Sequence, residues 1–208
     1  MLQQHIRNFT DKVIEALNVG SMEMINLHQD WLTPDFVLLG LLSQEDSMIV
    51  EILETAYPHD PDISQRIIDK IYSLQKDVPK FNGPAIGHIQ VPKETEALFL
   101  GAQEQGKILG DKFIGLEALF LSLFDKKLGR VPALLEEMGV TYEKVKSEID
   151  SMRGGRTIND KGDESKSDIL AQFTTDLTDL ARKGALDPVI GREKEINRII
   201  QILSRRRK

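Results

Sequence analysis

Eleven residues, Leu32-Thr33-Pro34-Asp35-Phe36-Val37-Leu38-Leu39-Gly40-Leu41-Leu42, return 82 positions later as Ile114-Gly115-Leu116-Glu117-Ala118-Leu119-Phe120-Leu121-Ser122-Leu123-Phe124, without a gap. At the same offset Trp31 meets Phe113, Ile52-Leu53-Glu54 meets Leu134-Leu135-Glu136, and Ala56 meets Met138. Both runs are apolar on nearly every side, which describes a helix buried all round. Each needs a shell of other helices, and only the flanking segments can supply it. A duplicated unit of this kind predicts an all-α fold, two pseudo-symmetric four-helix repeats packed into one globular domain.

The flanking segments read accordingly. Thr10 is placed to cap a first helix whose stripe is Phe9, Val13, Ile14 and Leu17, and Met22 to Leu27 continue it or follow a bend near Gly20. Pro34 suits the first turn of the buried helix. Ile49, Ile52, Leu53 and Ala56 predict a third helix that stops before Pro58, and Asp60-Pro61-Asp62 a cap for a fourth through Ile63, Ile67, Ile68, Ile71 and Leu74. Pro79, Gly83, Pro84, Gly87 and Pro92 break the pattern and read as a hinge between copies. The second copy then repeats the plan: Lys93 to Leu109, Leu116 to Phe124, Pro132 to Met138 closing at Gly139, and a last helix with Val145 and Ile149. The first copy holds about four extra residues around His59–Asp62. The repeats span about 9–75 and 92–151 within a domain 1–152.

Residues 153–167 are polar and glycine-rich, a composition that predicts a flexible linker. In 168–208 an amphipathic helix (Ile169, Leu170, Phe173, Leu177, Leu180, Ala181) ends at Gly184. A turn then leads to the helix Glu193–Ser204, whose apolar face has no local cover. This stretch reads as the start of a second domain.

Composition excludes several classes of function. Without cysteine there is no disulfide, thiolate nucleophile or Cys-based zinc site. A net charge of −6 argues against a nucleic-acid binder. The N-terminus lacks a signal-peptide core, and no apolar run nears the roughly 20 residues that span a bilayer. A soluble cytoplasmic protein is expected, with no membrane partner.

Most motif-like features have bland explanations. Gly101-Ala102-Gln103-Glu104-Gln105-Gly106-Lys107 has phosphate-loop spacing, but Ile108 stands where a magnesium-binding hydroxyl belongs and no strand precedes it. His5, His28, His59 and His88 lack metal-ligand spacing. Arg205–Lys208 suits a helix C-terminus better than a nucleic-acid patch. Asp111 and Glu117 flank the start of the second buried helix, where the helix dipole accounts for them. No catalytic constellation emerges, so an independent enzyme is not expected.

The stretch Leu186-Asp187-Pro188-Val189-Ile190-Gly191-Arg192-Glu193-Lys194-Glu195-Ile196-Asn197-Arg198 closely resembles the start of the first AAA+ module of Clp ATPases. The doubled helical unit resembles the paired Clp N-terminal repeat. Gly110-Asp111-Lys112-Phe113-Ile114, Met152-Arg153-Gly154-Gly155 and Phe173-Thr174-Thr175-Asp176-Leu177-Thr178 resemble the ClpB disaggregase branch most. The ClpC and ClpA unfoldases tend to have a histidine where this chain has Phe36 and Ala118.

The resemblance implies a client-recruiting domain tethered to a homo-hexameric ring that threads unfolded or aggregated polypeptides. Partnership with the DnaK chaperone system would run through other regions. It further implies an apolar client groove with Thr10, Asp111 and Glu117 near it. Leucines usual on that surface are replaced by Gly101, Gln105 and Ala118. Val189 and Ile190 match residues that wall the adenine pocket of the ATPase module. ATP and magnesium would belong to the parent, whose phosphate loop, magnesium carboxylates and arginine finger would follow Lys208. No cofactor is expected in residues 1–208. The alternative is an adaptor-docking domain of a ClpC- or ClpA-type unfoldase that feeds a protease.

Overall fold

The structure, a computed structural model, describes residues 7–80 and 89–164 together with Arg192, Arg198 and Gln201. The chain divides into two units, Met1–Asp168 and Ile169–Lys208. In the first unit eight helices are described. In copy one they are α1 (Asp11–Asn26), α2 (Pro34–Leu42), α3 (Met48–Ala56) and α4 (Ile63–Gln75). In copy two they are α5 (Lys93–Leu109), α6 (Leu116–Ser122), α7 (Val131–Glu137) and α8 (Tyr142–Arg153).

The boundaries follow the local chemistry. Thr10 caps α1 by accepting from the Val13 amide at 3.3 Å, and the helix continues unbroken through Gly20. Asp62 precedes α4 but makes no side-chain cap, so the expected cap is absent there. The offset between copies drops from 82 residues at the buried helices to 79 at the start of α4 and α8 (63 to 142). That difference places the extra residues of copy one before α4.

Every residue of α2 and of α6 is buried, as their all-round apolarity requires. They touch each other at the centre, and α1 packs along α2 as α5 packs along α6. The copies also interlock. Ile114 N donates to Asn8 O at 2.7 Å, and 82 residues earlier Leu32 N donates to Gln90 O at 2.8 Å. Each copy thus offers the segment before its first helix to the segment before the other copy's buried helix.

The second bond of this pairing differs between copies for a covalent reason. Thr10 N donates to Ile114 O at 3.0 Å, whereas the equivalent of Thr10 is Pro92, which has no amide hydrogen. Leu32 O is satisfied instead by the buried Thr95 hydroxyl at 2.7 Å. Thr95→Val, close in shape but without the donor, is expected to cost about 1–3 kcal/mol in urea denaturation because it strands a buried carbonyl. A loss under about 0.3 kcal/mol would mean that the carbonyl finds another donor.

The polar stretch that begins at the last residue of α8 departs from expectation. Its described part, 153–164, is not a free linker: Arg153, Ile158 and Glu164 are buried against the helices. Composition counted too few apolar residues to form a core. It did not register that one isoleucine and one carboxyl can be received by a core already made. The first unit therefore extends past Met152. Residues 165–167, the hinge positions 81–88 with His88, and His5 lie outside the described residues, as do Arg205–Lys208.

Candidate functional site

Three residues singled out from the sequence, Thr10, Asp111 and Glu117, converge at one end of the buried helix α6. Gly110 ends α5 with φ +79, a left-handed conformation open to glycine at little cost, and turns the chain so that Asp111 points inward. Thr10 arrives through the Phe9–Ile114 bridge. Glu117 lies in the first turn of α6.

None of the three is open to solvent. Thr10 and the Asp111 side chain are fully buried, and Glu117 is 6% exposed. The element that closes them in is α8 with its C-terminal extension. Arg153 forms a bidentate pair with Asp111, Nη1 to Oδ1 at 3.0 Å and Nη2 to Oδ2 at 2.8 Å. Its Nε donates to Glu117 Oε2 at 2.7 Å. Burial by itself disfavours the guanidinium charge, but the hydrogen bonds from Asp111 and Glu117 outweigh it and hold Arg153 protonated, above the usual arginine range. The helix-dipole account of the two acids is thus incomplete: a cation holds them.

The extension adds a fourth polar group. Gly115, the N-cap of α6, has no side chain to cap with. Glu164 supplies the missing acceptor, taking the Leu116 amide on Oε1 at 2.8 Å. Its other oxygen accepts from the Thr10 hydroxyl. A Cβ on Gly115 would lie 2.4 Å from Ile158 Cδ1 and 2.7 Å from Glu164 Oε1, so the glycine makes room for both. Its φ of −94 needs no glycine.

Arg153, Ile158 and Glu164 were not nominated from the sequence. Nor was Asp35, which is related to Glu117 by the 82-residue offset and, at 3% exposure, is buried like it. Arg130, leading into α7, donates to Asp35 at 3.0 Å and so ties one copy to the other. The repeat itself was the signal for this pair: two acids at equivalent positions in buried helices each require a cation.

The surface expected to form a groove is filled. Ala118 is buried, a Cβ on Gly101 would sit 3.3 Å from Ser122 Cβ, and Gln105 accepts from Tyr142 Oη at 3.0 Å. The small residues serve the close approach of α5 to α6. The phosphate-loop-like run lies wholly within α5, where its amides are engaged in helix bonds. Exposed apolar side chains occur elsewhere: Met22 and Ile25 on α1, Trp31 and Ile89 at the Trp31–Gln90 bridge, and Leu100 and Ile108 on α5. Among the described residues no three His, Asp or Glu side chains are placed to hold a metal ion, and no helix is long and apolar enough to cross a membrane. Val189 and Ile190 lie outside the described residues.

Residues 8–131 match the model of the Clp repeat (R) N-terminal domain. Among curated proteins, the chain is 32% identical over 201 residues to the chaperone protein ClpB of Corynebacterium diphtheriae, covering 97% of this chain and 23% of that one. It is 34% identical over 200 residues to heat shock protein 104 of Schizosaccharomyces pombe, covering 96% and 22%. The chain thus spans about a quarter of the length of the relatives it matches. Among solved structures it is similar to the Hsp104 N-terminal domain of Candida albicans, with a TM-score of 0.58, 16% identity, and coverage of 74% and 97%. The N-terminal domain of the caseinolytic protease associated chaperone ClpD of Arabidopsis thaliana gives a TM-score of 0.50 at 16% identity, with coverage of 68% and 94%. At such identities these two likenesses concern the fold.

Proposed function

The chain belongs to the Clp N-terminal repeat family, and from that premise we propose that it is the client-recruiting N-terminal region of a ClpB-like disaggregase. On this reading it binds unfolded or aggregated polypeptide and passes it to a homo-hexameric AAA+ ring in the cytoplasm. Hydrolysis of ATP with magnesium belongs to the ring, and the DnaK system cooperates through regions other than these.

The observation that supports this reading most is the length of the match. Similarity to ClpB and Hsp104 chaperones runs over nearly the whole chain, beyond the helical domain and into residues 168–208. Physically, capture would exchange exposed apolar surface for apolar segments of a client. Contacts of a few hundred Å² at roughly 25 cal/mol per Å², less ordering costs, give weak and reversible binding. Weak binding suits a module that must release its client to a pore. Thr10, Asp111 and Glu117 are assigned to recruitment by family likeness. Since they are covered, first contact falls to exposed apolar groups such as Leu100 and Ile108.

The second reading is a docking domain for a folded adaptor of a protease-coupled Clp unfoldase, a role compatible with the fold shared with ClpD. The two differ in ligand. A labelled, permanently unfolded polypeptide titrated with the 208-residue chain is expected to bind saturably in the micromolar range by fluorescence anisotropy. A folded control should not bind. Leu100→Ser/Ile108→Ser should weaken binding by about tenfold, as for loss of roughly 1.4 kcal/mol of apolar contact. Absence of binding at high concentration would sink client capture and favour the adaptor reading.

A further inference from the structure

Residues 156–164 sit on the domain in the manner of a bound ligand. Ile158 N donates to Asp111 Oδ1 at 2.8 Å, and Ile158 O accepts from Lys112 N at 2.8 Å, a paired clip on one residue. Lys161 O accepts from Asp11 N at 3.0 Å at the start of α1. Two side chains enter the domain, Ile158 at 7% exposure and Glu164 at 4%, and both pass over Gly115. Between them the segment folds on itself, with the Asn159 and Asp160 amides donating to Asp163 Oδ2 at 2.8 and 2.7 Å. The seat is built from the start of α1 and the start of α6, residues far apart in sequence. The segment itself lies beyond residues 8–131 of the family match.

We propose that residues 156–164 are a detachable internal ligand: docked, they close a peptide-binding seat made by Thr10, Asp111, Gly115 and the Leu116 amide, and released, they open it to a peptide with an apolar residue followed six positions later by a carboxylate. This deepens the client-recruiting reading and rests on it, because it identifies a cover over Thr10 and Asp111, two of the three residues that family likeness assigns to clients.

The polar chemistry gives the latch a sensitivity to pH. Burial pushes the Glu164 carboxyl up to about 7, against the bonds from Thr10 and the Leu116 amide; Glu117 raises it further and Arg153 opposes. The charged groups around it are Glu117 on α6 and Arg153 on α8, with Asp111 on the same guanidinium and Asp11 held to Lys161 through its amide. A carboxyl whose docked value is raised favours docking fully below its released value of 4.5, and this advantage is lost as pH rises through about 7. Across that window the docking equilibrium should fall on the order of a hundredfold.

The test uses the full chain and a labelled peptide with the sequence of residues 156–164. In Ile158→Ser/Glu164→Lys, which removes both anchors, the peptide should bind at least tenfold more tightly than to the wild type, and adding Gly115→Val should abolish that binding. Equal, weak binding to wild type and double variant would overturn the proposal. Peptide binding that improves while unfolded-polypeptide binding stays unchanged would uphold the latch and separate it from client capture. Should the double variant lose its helical circular dichroism, Ile158→Ser alone, which removes the apolar anchor, serves instead. Hydrogen-exchange protection of 156–164, corrected for intrinsic rates, should fall between pH 5 and 8 in the wild type and stay level in Glu164→Gln. Identical profiles would overturn the proposal.

Discussion

Gly40→Ala is expected to destabilise the domain by about 3 kcal/mol or more, although a table of helix propensities gives the opposite sign. Gly40 lies inside α2, where replacing glycine by alanine favours an exposed helix by roughly 1 kcal/mol. Here the new Cβ would stand 2.0 Å from the Ala16 carbonyl oxygen and 2.9 Å from the Gly20 nitrogen. Both are backbone atoms of α1 and cannot rotate away. Relief requires the helices to separate, and that would disturb the fully buried ring of side chains around α2. Overpacking of this kind costs about 1–3 kcal/mol when side chains can move, and more when only backbone can. A drop of roughly 10 °C in Tm follows for a domain this size, read by circular dichroism at 222 nm. Gly20→Ala, with its Cβ 2.2 Å from the Phe36 carbonyl oxygen, should act alike, and the pair should be less than additive because both relieve one contact. A Tm within about 2 °C of the wild type in Gly40→Ala would show that the crossing has slack.

Arg153→Ala should cost about 3–5 kcal/mol, because it leaves Asp111 and Glu117 buried without their cation. An exposed ion pair would be worth under about 1 kcal/mol, and the difference is burial, with side-chain exposures of 8% for the arginine and 0% and 7% for Asp111 and Glu117. Arg153→Lys keeps the charge but not the planar fork that meets Asp111 with two bonds, so it should recover only part of the loss. Chemical denaturation at pH 7 measures this. A deficit below about 1 kcal/mol at pH 7 would mean that water reaches the acids once the guanidinium is gone. Residues 154–164 should also lose protection from hydrogen exchange, as Asp111 holds the Ile158 amide.

Much of the helical plan was legible because it rests on periodicity. The 82-residue offset, the all-round apolarity of Leu32–Leu42 and Ile114–Phe124, and the proline and glycine punctuation locate the helices to within a residue or two. Thr10 was readable as a cap, since a hydroxyl three residues before an amide is a local relation. Asp111 and Glu117 were readable as unusual acids, but not as partners of Arg153, which lies 42 and 36 residues away. The Asp62 cap failed because local spacing permits a bond without requiring it.

By itself, then, the sequence determined that the chain is helical and doubled, with two helices buried all round and cysteine chemistry ruled out. Those properties are set by neighbours along the chain and by composition, and both are printed in it. Only the tertiary structure decided that the copies exchange their leading segments, that Gly20 and Gly40 are contact points, and that the stretch after α8 is folded back. These depend on which backbone atoms meet across α1, α2 and α6. A polar segment with a single isoleucine reads as unfoldable until the seat under Gly115 is in view. There burial of Ile158, an amide lacking an acceptor at Leu116, and the Thr10 hydroxyl together outweigh the entropy of holding it.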